Sequence, residues 1–319
     1  MNTILSRAFP DDPIVGEEDA KDLRGDSPEV TTLRNRIADL AMENLTGDLG
    51  LGEMEDWGLG PKHVHTPDQL LEAIDRGTYP GGSAGRKLPF SSSVYRDQLD
   101  FVVIGMWTLD PIDGTKGFLR GEQYAVCLAL IVDAKVQLGV IGCPNLPQDV
   151  SKPDGPKGCM FVAIRGQGAE QMSLSGANPA PLKIPAFADC DLNMLESVEA
   201  AHSSHSFNDS VSQLLKITRP PTRMDSQAKY CALSRGDGGI YLRLPATSGY
   251  VEKIWDHAPG SLLVEEAGGI ITDVRGSPLN FGLGRELRGN RGVVAAGTDV
   301  HGKVLAAVKQ VLEEEKPKI

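Results

Sequence analysis

Apolar residues at helical spacing alternate along this chain with β-type runs. Leu33, Ile37, Leu40 and Ala41 share one face at a period of 3.6, which predicts a helix over 33–45. Residues 66–76 predict another. Thr66 offers an N-cap oxygen, Pro67 suits the first helical position, and Asp68 and Gln69 fill the first turn. Ile4, Leu5 and Phe9 read as the end of an amphipathic helix, stopped by Pro10-Asp11-Asp12-Pro13. Ile14-Val15-Gly16 then reads as a short strand running into Glu17 and Glu18, and the Gly-rich stretch 46–66 as irregular.

The runs 107–109, 124–133, 135–142 and 160–165 predict strands, the second and third forming a hairpin on Asp133-Ala134. A short helical turn is expected from Thr115. Beyond Ile184 strands at 195–199, 240–244 and 292–296 alternate with helices at 208–215, 227–233, 257–267 and 301–315. The order predicts an α/β protein with an α+β half over 1–184 and an α/β half over 185–319.

Composition narrows the function. With 40% hydrophobic and 24% charged residues the chain is globular in type. Its 32 Lys and Arg against 43 Asp and Glu leave a net charge of −11, which excludes the basic footprint of a general nucleic-acid binder. An anionic substrate therefore needs local cations or bound metal to override the global field. The longest purely apolar run, 125–132, is far too short to span a membrane, and the first residues lack the shape of a signal peptide. Cys127, Cys143, Cys159, Cys190 and Cys231 are odd in number, widely spaced and without a CxxC. They read as buried free thiols in the cytosol or nucleus, not as a disulfide framework or zinc site.

The densest chemistry is in WTLDPIDGT, residues 107–115. Asp110 and Asp113 stand three apart at the end of an apolar strand. Pro111 removes an amide donor and stiffens the turn, and Gly114 permits close approach of a ligand. Thr115 opens a helical turn with free amides. Carboxylates on one side and amides on the other are what a phosphate bridged by hard cations requires. A second block, IWDHA at 254–258, places Asp256 at the start of an apolar helix, where a plain N-cap worth about 1 kcal/mol accounts for it in isolation. A third, VGEE at 15–18, reads in isolation as a solvated acidic turn. Brought together, the three blocks make a four-carboxylate, dinuclear magnesium site.

These blocks resemble the magnesium-dependent, lithium-sensitive phosphatase superfamily of inositol monophosphatase, and within it the fungal 3′(2′),5′-bisphosphate nucleotidases. WTLDPIDGTKGFLRGEQYAVCLA (107–129), GVIGCPN (139–145), HSSH (202–205), DSQAKY (225–230) and YLRLP (241–245) carry the likeness. The resemblance implies a layered αβαβα sandwich and hydrolysis of the 3′-phosphate of adenosine 3′,5′-bisphosphate and of 3′-phosphoadenylyl sulfate, in sulfate assimilation and salt tolerance. It implies two or more Mg2+ on Glu17, Asp110, Asp113, Asp256 and the carbonyl of Ile112, with inhibition by Li+ and Na+. Thr115 would orient the attacking water, and its amide with that of Gly114 would hold the phosphate. Lys229 and Arg243 become candidate cations for the second phosphate, with Ser226 and His202 as donors. His205 and His257 are read as structural and Cys143 as core. The rival readings are an inositol phosphate phosphatase of the same superfamily and an inactive paralogue that only binds nucleotide.

Two departures from the family pattern are expected to matter. About two helices and one carboxylate that the family places ahead of this first methionine are missing, so the chain reads as started at an internal methionine or as damaged. Residues 87–105 separate a Gly-Arg pair from the Trp-x-Leu-Asp strand and read as retained intron sequence. Arg86-Lys87-Leu88 admits a donor GTAAGT, Ile104-Gly105 an acceptor AG, and removal of 19 codons keeps the frame. A genuine lineage-specific loop is the alternative.

Overall fold

The computed structural model describes residues 1–46, 59–60, 62–63, 65–82, 88–89, 101–102, 105–199, 205–244 and 249–314. In chain order the elements are α1 (Asn2–Ala8), β1 (Ile14–Gly16), α2 (Pro28–Thr46), α3 (Pro67–Asp75), β2 (Leu88–Pro89), β3 (Phe101–Val102), β4 (Met106–Asp113), α4 (Thr115–Leu119), β5 (Ala125–Val132), β6 (Lys135–Pro147), β7 (Lys157–Ile164), β8 (Gly168–Ser173) and β9 (Ala180–Pro181). They continue with β10 (Met194–Glu196), α5 (His205–Leu214), β11 (Thr222–Arg223), α6 (Ala228–Arg235), β12 (Ile240–Arg243), α7 (Ala258–Glu266), β13 (Gly269–Thr272), β14 (Val293–Gly297) and α8 (His301–Glu314).

Two sheets dominate. The first runs β1-β4-β5-β6-β7-β8-β9, antiparallel except where β1 lies parallel to β4. The second runs β11-β10-β12-β14-β13. Helices α6 and α7 lie between the sheets, α5 and α8 cover the far face of the second, and α1 packs on the outer face of the first through Leu5, Ile14, Trp107 and Leu109. The result is an αβαβα sandwich. One continuous core joins β5–β7 to α6 and α7, and Ile184, the expected point of division, lies within it.

Local chemistry explains most elements. Thr66 accepts from the Gln69 amide, and Gln69 accepts from the Thr66 amide, a complete capping box for α3. The β5–β6 hairpin turns on Asp133 and Ala134, both at positive φ. Three expectations need correction. Leu33 and Leu40 on α2 are exposed, at 50% and 42%, whereas Ala38 is buried. The inward face of α2 runs through Ile37, Ala38 and Ala41, one position round the wheel, where they line a cavity with α3 and the end of β4. Cys190 is exposed, unlike the other four cysteines. Strands β8 and β13 were not foreseen, since a short polar strand and one rising straight from a Gly-Gly turn carry weak alternation. Apart from the backbone ladder of β2 with β3, the expected insert at 87–105 lies outside the described residues up to Gly105.

Gly260 shows how tightly the middle layer packs. A Cβ there would stand 2.1 Å from the Tyr230 ring. Tyr230 is wholly buried, and its hydroxyl bonds His257 Nδ1 at 2.7 Å, so the ring has nowhere to go. Gly260→Ala is expected to destabilise the protein by about 1–3 kcal/mol, the usual cost of overpacking. A denaturant midpoint equal to that of the unaltered chain would contradict this packing.

Candidate metal and phosphate site

Strand alternation delivers the first carboxylate. Along β4, Trp107 and Leu109 face outward to α1, while Met106 faces the inner core. Asp110, on the Met106 side by the same period, is therefore aimed between the sheets, and it is 1% exposed. Beside it β1 runs parallel, with Gly16 opposite Leu109. The next residue is Glu17, whose amide donates to the Leu109 carbonyl at 3.2 Å, and whose carboxyl is hydrogen-bonded to Asp110. The β4–β5 register breaks between Asp110 and Asp113 around Pro111, and this irregularity turns Asp113 back to the same side. Asp256 arrives from the turn before α7. Carboxylate oxygens of Asp110, Asp113 and Asp256 lie within 4.8 Å of one another.

The N-cap reading of Asp256 does not hold. The cap residue of α7 is His257, and its own side chain makes no capping hydrogen bond.

Burial of so many like charges has an electrostatic signature. Burial first, then the neighbouring Asp113, Glu17 and Asp256 charges, push the Asp110 carboxyl up to about 10. Burial pushes Asp256 up to about 8 despite the opposing pull of Arg243. Glu17 and Asp113 are raised for the same first reason. The nearby cations are already engaged. Arg243 bonds Glu252 through Nε at 2.9 Å and Nη2 at 2.7 Å and lies 3.7 Å from Asp256. Lys229 Nζ donates to the carbonyls of Met224 and Ser226 at 2.9 and 2.8 Å. A concentration of hard oxygen donors with surplus negative charge suits Mg2+, Mn2+ or Ca2+ and not a soft metal.

The remaining candidates fall around this cluster. Gly114 has φ +84°, which only glycine adopts readily, and a Cβ there would press to 2.9 Å on Ser226 Cβ. Gly114 and Ser226 therefore touch across the two halves. Ser226 Oγ accepts from the Ala228 amide at 3.2 Å, and Thr115 Oγ1, exposed, donates to the Ile112 carbonyl at 3.3 Å. Lys229 is only 2% exposed. His202 lies outside the described residues. His257, fully buried, bonds Tyr230 and Glu252, and His205 Nε2 lies 3.0 Å from the Ser197 carbonyl.

The sequence reading passed over three residues here. Glu252 joins Arg243 to His257. Burial alone would raise its carboxyl, but Arg243 and His257 outweigh this and bring it down to about 2. Gln227 bridges α6 and α7. Arg285 bonds the carbonyls of Gly16, Gly77 and Tyr79, and its guanidinium stacks 4.7 Å from the Trp255 ring. It thereby fastens the strand carrying Glu17 to the residue before Asp256. No local spacing announces a contact between positions 16 and 285.

The sequence profile of the Inositol monophosphatase family matches residues 105–313. The chain belongs to the inositol monophosphatase family. Family members are metal-dependent phosphatases, which agrees with the donor set just described. The chain is 44% identical over 318 residues to the 3′(2′),5′-bisphosphate nucleotidase of Schizosaccharomyces pombe, covering 98% of this chain and 81% of that protein. It is 42% identical over 326 residues to the enzyme of the same name from Emericella nidulans, covering 97% and 84%. The Oryza sativa enzyme so named is 38% identical over 310 residues, covering 95% and 77%. Among solved structures, Thermotoga maritima IMPase superposes with a TM-score of 0.51 at 21% identity, over 69% of this chain and 74% of that one, and shares the fold. No helix among the described residues is long and apolar enough to cross a membrane.

Proposed function

We propose that this inositol monophosphatase family member hydrolyses the 3′-phosphate of adenosine 3′,5′-bisphosphate, and of 3′-phosphoadenylyl sulfate, to leave the 5′ nucleotide. The observation that carries the reading is the convergence of Asp110, Asp113 and Asp256 into one cluster, with the more exposed Glu17 brought beside Asp110 by β1 and with Lys229 and Arg243 close by. The fungal and plant relatives named as bisphosphate nucleotidases support the substrate.

Glu17, Asp110, Asp113, Asp256 and the Ile112 carbonyl would hold two or more Mg2+. When bound, such ions polarise the phosphate and lower the pKa of the attacking water. The chain supplies the rest. The Gly114 and Thr115 amides receive the phosphate oxygens, and the exposed Thr115 hydroxyl orients the water. Lys229, Arg243, Ser226 and His202 receive the phosphate that is not cleaved. In the structure Lys229 and Arg243 are bonded to carbonyls and to Glu252, so the second phosphate competes with partners already in place. No covalent phospho-enzyme is required.

The test is release of inorganic phosphate by the purified chain with Mg2+, from adenosine 3′,5′-bisphosphate and from inositol 1-phosphate in parallel. Faster turnover of the nucleotide, abolished by a chelator and inhibited by Li+, is expected. Preference for inositol 1-phosphate would overturn the substrate, and nucleotide binding without turnover of either would overturn the activity.

A further inference from the structure

Asp113 and Asp256 belong to different halves of the chain, yet a metal centre needs their oxygens at a fixed separation. One buried residue ties them together: Gln227 holds the Asp113 carboxylate with its backbone amide and the backbone on either side of Asp256 with its side chain. Gln227 is 2% exposed and sits at the N-cap of α6. Its backbone amide donates to Asp113 Oδ2. Its side-chain Nε2 donates to the carbonyl of Trp255, the residue before Asp256, at 2.8 Å, and its Oε1 accepts from the Gly260 amide in α7 at 3.0 Å. All three contacts cross between elements. The close approach of α6 to α7 that Gly260 permits puts the amide in reach of both partners.

We infer that Gln227 is a positioning residue of the metal centre, setting the span between Asp113 and Asp256. The inference deepens the reading of the carboxylate cluster as a metal site and rests on it. Gln227 touches neither metal nor substrate and acts through the two carboxylates. Its side chain satisfies a buried carbonyl and a buried amide that would otherwise lack a partner, which fixes the Trp255–Gly260 segment in one place. Hydrogen-bonding groups behind metal ligands typically account for about 10- to 100-fold in metal affinity. Serving only the fold, Gln227 would affect stability and metal affinity no differently from any buried residue.

The experiment measures Mn2+ binding to the purified full-length chain by isothermal titration calorimetry. Gln227→Met keeps the length of the side chain and removes both hydrogen bonds. Val304→Ala is the comparison, since Val304 is buried on α8 in the outer core, away from the carboxylates. Gln227→Met is expected to lose about 10- to 100-fold in Mn2+ affinity, with Val304→Ala unchanged at a comparable fall in Tm. In turnover assays, raised Mn2+ should restore kcat of Gln227→Met while KM for the nucleotide stays put. Should Gln227→Met not fold, Gln227→Asn retains the amide with a smaller gap and is expected to move in the same direction. Unchanged Mn2+ affinity in the Gln227 variant, or an equal loss in Val304→Ala, would overturn the inference. An Asp110→Ala control separates the two levels. Loss of Mn2+ binding there upholds the metal centre whatever Gln227→Met does, and retention overturns the metal centre and this inference with it.

Discussion

Asp110→Asn is expected to remove turnover and, in the metal-free protein, to raise stability. The catalytic loss follows from position: Asp110 lies at the centre of the cluster, hydrogen-bonded to Glu17 and beside Asp113 and Asp256. Losing several kcal/mol of metal-based charge stabilisation corresponds to a fall of about 10³-fold or more in kcat/KM. The gain in stability follows from the same crowding. The Asp110 carboxyl is raised in the folded protein from its ordinary 3.8 to about 10. A group raised on folding contributes fully below its unfolded pKa and loses that contribution as pH rises toward the folded value. The wild-type chain treated with chelator should therefore lose stability between about pH 4 and pH 10 relative to Asp110→Asn, which has no proton to lose there. Each kcal/mol of relieved repulsion is worth about 2–4 °C in Tm. Added Mg2+ should reverse the order, since the cations neutralise the wild-type cluster and find a weaker site in the variant. Thermal scans at pH 5, 7 and 9, with chelator and with Mg2+, check this. A variant that retains near-normal turnover would contradict the assignment of Asp110, and one never more stable than wild type in chelator would contradict the electrostatics.

Arg243→Ala is expected to damage the fold and substrate discrimination together, and the two effects separate by a second substitution. Glu252 is 4% exposed and holds two contacts to Arg243. Removing one partner of a buried ion pair strands the other and typically costs about 3–5 kcal/mol. Arg243→Ala with Glu252→Gln removes the stranded charge and keeps an acceptor for His257, so Tm should recover most of the loss. Preference for the bisphosphorylated over the monophosphorylated nucleotide should not recover, because the cation for the second phosphate is still absent. A charge-assisted contact of about 1.5–3 kcal/mol corresponds to roughly 10- to 150-fold in discrimination. Return of discrimination along with Tm would mean that Arg243 serves the fold alone. Lys229→Ala differs in kind: it removes the buried ammonium that donates to the Met224 and Ser226 carbonyls, so loss of stability accompanies any change in substrate preference.

Short-range signals along the chain mark many of its local elements and single out candidate metal carboxylates. Thr66 with Gln69 three residues on and Asp133-Ala134 mark a helix start and a hairpin because each signal depends only on neighbours within one turn or one strand end, whereas DPIDGT offers Asp110, Asp113, Gly114 and Thr115 as candidates through its family resemblance. Tertiary structure decided what those residues meet. Glu17 reaches Asp110 only because β1 pairs in parallel with a strand some ninety positions later, and Asp256 changes from apparent helix cap to cluster member when α7 slides beneath the first sheet. Arg285 gripping Gly16, Gln227 bridging Trp255 and Gly260, and Glu252 claiming Arg243 leave no trace in local spacing. Lys229 shows the same limit from the other side, since a lysine on a helix is ordinarily solvated and here is buried against Tyr241. Periodicity reports which side of an element is apolar. The partner across a packed layer is set by how distant segments close on one another, and that is where this site acquires its charge balance.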